Sequence, residues 1–232
     1  MNSDVCVIIP AHNESQVIGQ VLEGVLERFS RVVVVNDGSS DNTAEVARRY
    51  PVTVLSHAVN LGQGGAMQTG FDWALQQPEV EYFISFDSDG QHRVEDAERM
   101  LAEARKGDVD LVLGSRFLDG AVRPPGSRRW LLLAATWFNY ALTGLHLTDA
   151  HVGLRVFNRR AASELKLTMS DMTHATEIES RIRQKGWRYK EIPVTIDYTD
   201  YSRSARGASG QRSSNAINLA FDLLLHRLGG GK

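Results

Sequence analysis

The sequence of 232 residues is poor in cysteine, carries almost no net charge and has no long apolar stretch. Its one cysteine, Cys6, excludes a disulfide framework and, inside an apolar run, predicts a buried and inert thiol. The formal net charge of −2 argues against a general nucleic-acid binder, so no nucleic-acid partner is expected. No signal peptide is recognisable, and no apolar stretch reaches the roughly 20 residues that span a bilayer. We therefore expect a cytoplasmic protein whose membrane contact is limited to the inner surface.

Alternating strand and helix patterns fill the first half of the chain. Hydrophobic residues make up 42% of the sequence and charged residues 23%, as in a globular protein. This alternation predicts an α/β fold with a mostly parallel, Rossmann-like sheet flanked by helices on both faces. Strands are predicted at Val5–Ile9, Arg31–Asn36, Val52–Ser56, Tyr82–Phe86 and Leu111–Gly114. Helices are predicted at Val17–Phe29, from a cap at Ser40 or Asp41 to Tyr50, at Ala66–Gln76 and at Val94–Lys106.

The second half departs from this alternation after Arg123–Gly126. We expect one domain over residues 1–200, divided at residue 118, followed by a basic loop and an amphipathic helix over residues 201–232. The elements predicted here are helices at Arg128–Gly144, Ala175–Lys185 and Ser213–Leu228, a polar turn at Asp149–Arg155, an edge strand at Trp187–Tyr198 and a mobile loop at Tyr201–Gln211.

Polar clusters directly follow the predicted strands of the first half. Because ligands in parallel sheets bind beyond the carboxyl ends of the strands, these clusters should converge on one cleft. A single member such as Asp41 has an alternative role as a helix cap, but capping does not explain the whole set. The clusters are Pro10–Glu14, Asn36–Asp41, Asn60–Gly65, Asp87–His92 and Ser115–Arg116.

The segment Asp87–His92 carries the strongest chemical signal in the sequence. Asp87 and Asp89 follow a strand with one residue between them, and Gly90 permits a turn that brings both carboxylates toward one point. Oxygen ligands of this kind suit Mg²⁺ or Mn²⁺ and leave positions for substrate phosphates. The alternative interpretation is an ordinary turn rich in Asp, Ser and Gly.

The glycine-rich segment Gly62–Gly65 matches a dinucleotide-binding fingerprint only in part. Met67 occupies the third glycine position, and the segment follows the third strand instead of the first. The sequence also lacks a P-loop. Phosphate binding would therefore depend on the metal, on Arg116 and on Arg128 or Arg129.

These segments occur in an order that resembles family 2 glycosyltransferases. The resemblance is strongest to the branch of polyprenyl- or dolichyl-phosphate mannose and glucose synthases, and it covers roughly residues 4–200. Asn36, where relatives often carry Asp, departs from the pattern, as do Val152 and Leu154 within the acceptor-side segment. The segments that carry the resemblance are Pro10–Glu14, Asn36–Thr43, Asn60–Gly70, Asp87–His92, Gly114–Phe117 and Asp149–Arg155.

The resemblance implies a GT-A fold, a nucleotide-diphosphate sugar linked to GDP or UDP, Mg²⁺ or Mn²⁺, and inversion at the anomeric carbon. Residues 1–118 would form the nucleotide-sugar-binding half and residues 119–200 the acceptor half. Asp37 would contact the base or ribose, and Arg116 would hold the donor diphosphate. The implied donor-site residues are Pro10, Asn13, Glu14, Asp37, Asp87, Ser88, Asp89 and Arg116. The implied metal ligands are Asp87, Asp89 and Gln91.

Arg116 and Asp149 are the candidate catalytic residues. Arg116 and the cation would stabilise the charge that builds on the leaving diphosphate. A phosphate acceptor is already anionic near pH 7, whereas a hydroxyl acceptor needs a carboxylate such as Asp149 to take its proton. Asp149 has the alternative role of a cap or turn residue.

The acceptor side of the sequence suggests a lipid phosphate and a peripheral membrane contact. Arg128 and Arg129 precede the aromatic-rich segment Trp130–Phe138, which suits a membrane interface or, alternatively, a core helix. A later basic loop would close over a phosphate or form a solvated surface. The arginines of that loop are Arg203, Arg206 and Arg212.

The leading hypothesis is therefore sugar transfer from a nucleotide sugar to a polyprenyl phosphate. One alternative is a family 2 transferase that acts on a saccharide hydroxyl in cell-surface polysaccharide synthesis. Another is a nucleotide-sugar-binding module without turnover, against which the set Asp87, Asp89 and Gln91 argues. A nucleotidyltransferase is disfavoured because Pro10–Glu14 stands where its glycine- and lysine-bearing signature would be.

Overall fold

One sheet of seven strands organises the protein. The structure is a computed structural model that describes residues 2–118, 140, 144–145, 147–149, 152–168 and 173–197. The strands are β1 (Val5–Ala11), β2 (Val32–Asn36), β3 (Thr53–Ser56), β4 (Tyr82–Ser85), β5 (Leu111–Ser115), β6 (Arg155–Asn158) and β7 (Tyr189–Pro193). The helices described are α1 (Ile18–Arg28), α2 (Thr43–Ala47), α3 (Gly62–Leu75), α4 (Val94–Ala104), α5 (Arg159–Glu164) and α6 (Thr173–Lys185).

The strand order is β3-β2-β1-β4-β6-β5-β7. Strand β6 runs antiparallel to both of its neighbours, and the other strand pairs are parallel. The predicted α/β class with a mostly parallel sheet is confirmed. Because β6 reverses direction between β4 and β5, the carboxyl ends of β1, β2, β4 and β5 lie at the same edge as the start of β6, where the polar segments meet.

Side chains of the central strands alternate between two buried layers. On β1, Val7 and Ile9 pack with the apolar faces of α1 and α4, whereas Cys6 and Ile8 pack with α3, α5 and α6. This alternation follows from the period of two of a β-strand. The predicted burial of Cys6 is confirmed, and burial raises the pKa of its thiol to about 12, which disfavours the reactive thiolate.

Two segments form a different type of secondary structure from the one predicted. The segment Gly62–Gly65 was predicted as a loop but forms the first turn of α3. The chain after Val152 was predicted as the end of a turn, but Arg155–Asn158 forms β6 at the centre of the sheet. Gly70 shows why α3 contains glycine: a Cβ at this position would collide with the Ile8 side chain on β1. Close contact with the sheet therefore compensates for the weak helix propensity of glycine.

The short helix α2 begins at Thr43 and ends at Ala47. It therefore starts later than predicted and ends before the predicted end at Tyr50. Asp41 lies two residues before the helix, and its carboxylate accepts a hydrogen bond from the Thr43 backbone amide at 3.0 Å. This bond satisfies one of the free donors of the first turn. No described helix combines the length and apolar character needed to cross a bilayer. The predictions for Arg128–Gly144, for Tyr201–Gln211 and for Ser213–Leu228 lie outside the described residues, except at positions 140 and 144.

Candidate active site

A cavity of about 400 Å³ opens at the carboxyl edge of the sheet. Residues from each predicted polar cluster line it, as expected for strand ends that meet at one edge. The predicted site residues on its wall are Pro10, Glu14, Asp37, Asp87, Ser88, Asp89, Gln91 and Arg116. The residues on its wall that were not predicted as site residues are Ala11, His12, Asn60, Gly62, Gln63, Ala66, His92, Gly153, Arg155, His174, Ala175 and Ile196.

Asn13 joins the loops that follow β1 and β2. Its backbone has a positive φ of 58°, a conformation that asparagine tolerates better than most residues. The side-chain oxygen of Asn13 accepts a hydrogen bond from the Ser40 backbone amide at 2.8 Å, and the backbone amide of Asn13 donates to the Ser39 hydroxyl at 3.0 Å. Asn13 does not line the cavity and instead holds the two loops that carry Glu14 and Asp37 against each other.

Asp37 is fixed at one end of the cavity. Its Oδ1 accepts a hydrogen bond from His57 Nδ1 at 2.7 Å and another from the Leu61 amide at 2.8 Å. His57 Nε2 lies 2.9 Å from the Thr69 hydroxyl on α3, and in the neutral ring this nitrogen accepts that hydroxyl proton. Because both bonds to the carboxylate end on Oδ1, Oδ2 keeps its acceptor capacity for a ligand in the cavity.

Asp87 is the anionic centre of the cavity. Its Oδ1 accepts a hydrogen bond from Gln63 Nε2 at 3.0 Å, and its Oδ2 accepts one from His92 Nε2 at 2.9 Å. Burial disfavours the charged carboxylate, but the His92 hydrogen bond and the positive charges of His92, Arg155 and His174 outweigh burial and lower the pKa of Asp87. Asp87 is therefore held in the ionised form that a cation ligand requires.

The turn after Asp87 combines both interpretations of its sequence. Gly90 has a φ of +72°, and Asp89 Oδ1 accepts a hydrogen bond from the Gln91 amide at 3.1 Å, as in an Asx turn. The same turn places Asp87, Asp89 and Gln91 on the cavity wall. The turn and the oxygen-rich site are therefore one structure.

The residues of this turn fit a hard divalent cation. Among the described residues, no group of three His, Cys, Asp or Glu side chains could hold a metal by itself. Two carboxylates and one amide leave a partial oxygen shell, which suits a cation that also binds substrate phosphates. Gly153 keeps space open beside this set, because a Cβ there would overlap the Asp87 carboxylate.

Arg116 and Asp149 lie together at the other side of the cavity. Arg116 Nε donates to Asp149 Oδ2 at 2.6 Å, Nη2 donates to Oδ1 at 2.9 Å, and the Arg116 amide also donates to Oδ2 at 3.1 Å. Asp149 has 2% of its side chain exposed and does not line the cavity, whereas Arg116 has 27% exposed and does. The Asp149 amide is held in turn by Glu191 on β7 at 3.2 Å.

Comparison with known proteins agrees with this arrangement. The model of glycosyl transferase family 2 matches residues 6–166, which is more than half of the chain. The chain belongs to glycosyl transferase family 2.

Relatives of this family 2 chain have specific activities. The undecaprenyl-phosphate mannosyltransferase of Micrococcus luteus is 31% identical over 206 residues, which are 83% of this chain and 83% of that protein. The UDP-N-acetylglucosamine–dolichyl-phosphate N-acetylglucosaminyltransferase of Methanococcus voltae is 26% identical over 245 residues and covers 96% of both chains. These relatives transfer different sugars, so family membership alone does not name the sugar.

The fold of this family 2 chain matches that of a solved glycosyltransferase. Glucosyl-3-phosphoglycerate synthase from Mycobacterium tuberculosis, solved with Mn²⁺, UDP and glucosyl-3-phosphoglycerate, superposes with a TM-score of 0.70 at 16% identity. The match covers 100% of this chain and 82% of that one. This likeness supports the predicted GT-A fold.

Sequence reasoning missed several groups that shape the family 2 site. His57 lies outside the motifs, and Gln63 lies within Asn60–Gly70 but was not predicted as a site residue. Their contacts with Asp37 and Asp87 depend on how β3 and α3 pack. Arg155 was included in a motif but not predicted as a site residue, because its position at the cavity depends on the antiparallel insertion of β6. Membership of the segments Asn60–Gly70 and Asp149–Arg155 was the available signal for Gln63 and Arg155, whereas His57 had none.

Proposed function

We propose that this family 2 glycosyltransferase moves a sugar from a nucleotide-diphosphate sugar to a polyprenyl phosphate, with a divalent cation and with inversion at the anomeric carbon. The observation that carries this proposal is the placement of Asp87, Asp89 and Gln91 together on the wall of the cavity. An oxygen-rich site of this kind suits a cation that also holds a diphosphate. The names of the relatives support the lipid phosphate acceptor.

The nucleotide of the donor would occupy the end of the cavity near Asp37. Pro10 and Glu14 line this end, and Asp37 presents a fixed carboxylate that can accept hydrogen bonds from a base or ribose. Asn13 would act indirectly, because it holds the loops of Glu14 and Asp37 together. UDP and GDP both carry donors that a carboxylate can bind, so either nucleotide suits this end.

The diphosphate would lie beside Asp87, Asp89 and Gln91, with Ser88 on the same wall. These residues would hold Mg²⁺ or Mn²⁺, which supplies electrostatic stabilisation to the leaving diphosphate. Arg116 faces the same cavity and would donate hydrogen bonds to phosphate oxygens. These preorganised positive groups act where charge develops during transfer.

The transfer is balanced without a protein base when the acceptor is a phosphate. An anionic acceptor oxygen forms a bond to the anomeric carbon while the bond from that carbon to the diphosphate oxygen breaks. The electron pair of the broken bond stays on the leaving nucleoside diphosphate. Attack from the face opposite the leaving group inverts the anomeric configuration.

The environment of Asp149 supports a phosphate acceptor over a saccharide hydroxyl. A hydroxyl acceptor needs a base, and Asp149 is the candidate, but its carboxylate accepts three hydrogen bonds from Arg116. Arg116 engages both oxygens of this carboxylate, and Asp149 does not line the cavity, so neither oxygen is presented to an acceptor hydroxyl there. We propose that Asp149 orients Arg116 toward the diphosphate instead of acting as a base.

The acceptor would reach the cavity from the membrane surface. Arg128, Arg129, Arg203, Arg206 and Arg212 belong to this part of the proposal and lie outside the described residues. We propose that they bind the lipid phosphate, with residues 119–200 forming the acceptor half and residues 201–232 a basic extension. The contact would be peripheral, at the inner face of the membrane.

Acceptor identity is tested by offering the purified protein a labelled nucleotide sugar with either a polyprenyl phosphate in detergent or a soluble oligosaccharide. Label is expected in the organic phase with the lipid and not in the oligosaccharide. UDP- and GDP-linked sugars are tested in parallel, because the nucleotide is open. Label transferred only to the oligosaccharide would overturn the lipid proposal and return Asp149 to the role of base.

A further inference from the structure

Arg155 is a buried cation on the cavity wall with no role in the proposed transfer as described above. It begins β6, opposite Ser85 on β4 and Leu113 on β5, and only 3% of the residue is exposed. Phe157, two residues later, packs in the layer of α3, α5 and α6. Because side chains alternate along a strand, Arg155 lies on this same face, at its cavity end.

The guanidinium of Arg155 has no hydrogen-bond acceptor among the described residues. Its Nη1 is fully enclosed and unpartnered. Burial lowers the pKa of Arg155 because the charged form loses its hydration, and the charges of Glu179, Asp87 and Asp149 oppose this effect. A buried cation whose donors are unsatisfied costs free energy until an acceptor enters.

Arg159, four residues away along the chain, shows how a structural arginine is satisfied in this fold. Its guanidinium donates to the backbone carbonyls of Gln77, Val80 and Leu75. These bonds tie α5 to the end of α3 and the loop that follows it. Arg159 is absent from the cavity wall, whereas Arg155 is part of it. The two arginines therefore differ in the feature that separates a structural role from a binding role.

Asp87 and Asp149, two of the three carboxylates whose charges oppose the effect of burial on Arg155, already accept hydrogen bonds from other donors. Asp87 accepts from Gln63 and His92, and it faces the proposed cation. Asp149 accepts its bonds from Arg116. Neither of them accepts a hydrogen bond from Arg155, and neither does Glu179 on α6, whose charge acts most strongly on Arg155. An entering group with anionic oxygens would supply the missing acceptors.

We propose that Arg155 binds the phosphate oxygens of a substrate at the inner end of the cavity. This inference rests on the proposed function, which brings a diphosphate and a second phosphate to the same cavity. The planar guanidinium fork matches two phosphate oxygens, and its full charge is better balanced by an anion than by neutral sugar hydroxyls. The phosphate belongs either to the donor diphosphate or to the acceptor.

Arg155→Met and Arg155→Lys test this inference, with Arg159→Met as the matched control. Calorimetric titration measures the affinity for UDP and for GDP in the presence of Mn²⁺. Steady-state kinetics measures the KM for a short-chain polyprenyl phosphate. In Arg155→Met the loss of charge-assisted hydrogen bonds should either weaken the nucleotide affinity or raise the KM for the polyprenyl phosphate, by about tenfold to a hundredfold. Arg155→Lys should be impaired as well, because it keeps the charge but lacks the fork.

The two sources of phosphate give different results. A weaker nucleotide affinity assigns Arg155 to the donor diphosphate, and a higher KM for the prenyl phosphate with unchanged nucleotide affinity assigns it to the acceptor. Arg159→Met should melt at a lower temperature with unchanged nucleotide affinity. Circular dichroism checks that Arg155→Met is folded before its affinities are compared with those of wild type. If Arg155→Met does not fold, Arg155→Lys carries the affinity measurement.

Equal nucleotide affinity and equal prenyl phosphate KM in wild type and the Arg155 variants would overturn the inference alone. A change restricted to the choice of sugar would also overturn it, since sugar hydroxyls would then be the ligand. Absence of nucleotide binding and of transfer in the wild type would overturn the proposed function and this inference with it.

Discussion

The guanidinium of Arg116 donates two hydrogen bonds, of 2.6 and 2.9 Å, to the carboxylate of Asp149. Asp149 is buried, whereas Arg116 reaches the cavity wall. The geometry is that of a fork matched to a carboxylate, in which one group orients the other. The two candidate catalytic residues are therefore one unit in this structure.

This pairing predicts that Arg116 and Asp149 act together on turnover. Arg116→Lys keeps the charge but loses the fork, so the transfer rate should fall by roughly a hundredfold, as for loss of a positioned charge-stabilising donor. Asp149→Asn should lower the rate as well, because Arg116 loses its orienting partner. The double variant Arg116→Ala/Asp149→Asn should be no slower than Arg116→Ala alone. Multiplicative losses in the double variant would show that Asp149 acts independently, as a base would.

Gly153 predicts a metal-binding defect from a change that removes no ligand. A methyl group at this position would overlap the Asp87 carboxylate and displace it. Gly153→Ala should therefore weaken Mn²⁺ binding by about tenfold or more, as when a supporting group of a metal site is disturbed. Titration of Mn²⁺ followed by electron paramagnetic resonance measures this.

Gly24→Ala is the matched control for Gly153→Ala. Gly24 lies in α1, where an added Cβ would be 3.6 Å from Val94 Cγ2, an ordinary contact. This change should leave Mn²⁺ binding intact and raise stability by about 0.5–1 kcal/mol, because alanine favours a helix interior over glycine. Unchanged Mn²⁺ affinity in Gly153→Ala would contradict the placement of the cation beside Asp87.

The contact between His57 and Asp37 predicts an effect on nucleotide affinity. His57→Ala removes the hydrogen bond that orients Asp37, so the affinity for the preferred nucleoside diphosphate should fall by roughly tenfold. His57→Asn should restore much of this affinity, because its side-chain amide nitrogen can donate from the position of Nδ1. Calorimetric titration compares the two variants. Equal affinity in His57→Ala and wild type would refute a role for His57 in positioning Asp37.

Asp110 predicts a loss of stability in acid. Burial disfavours its charge, but hydrogen bonds from the Arg188 amide at 2.9 Å and from Asn158 at 3.0 Å outweigh burial and lower the pKa of Asp110. The folded pKa lies below the unfolded value of about 3.9, so this stabilisation is present above that value. It is lost as the pH falls through the lower folded pKa.

Urea unfolding between neutral pH and pH values below about 3.9 checks this prediction. Asp110→Asn should lower the free energy of unfolding at neutral pH by about 1–3 kcal/mol and flatten its decline in acid. Asp72→Asn is the matched control, because Asp72 is exposed on α3 and bonded to Gln68 at 2.8 Å. An identical acid profile for wild type and Asp110→Asn would mean that other groups govern acid stability.

The first half of the fold was predictable because its strands are apolar runs separated by helical periodicity. The valines of β2 and the polar turn after β4 both indicate a buried sheet with ligands at its edge. Strand β6 was missed because it is short and begins with a charged residue, Arg155. The start of α3 was missed because glycine is a weak helix former, and its packing on β1 is not visible in the local sequence.

Part of the candidate site depends on contacts between distant segments. Arg116 and Asp149 are 33 residues apart, and nothing in their separate motifs indicates that they bind each other. The contact between His57 and Asp37 likewise requires β3 to pair with β2 in register. Residue types were predictable from motif chemistry, whereas the pairing of their side chains required the tertiary fold.

The most direct test of the proposed function is the rate of label transfer from nucleotide sugar to polyprenyl phosphate before and after chelation of divalent cations. Transfer by the wild type should stop with chelator and return when Mn²⁺ or Mg²⁺ is added in excess. Asp89→Ala should remain folded by circular dichroism, yet give no transfer at any Mn²⁺ concentration that supports the wild type. Full transfer by the chelated wild type, or by Asp89→Ala in the presence of chelator, would contradict metal-dependent transfer at this site.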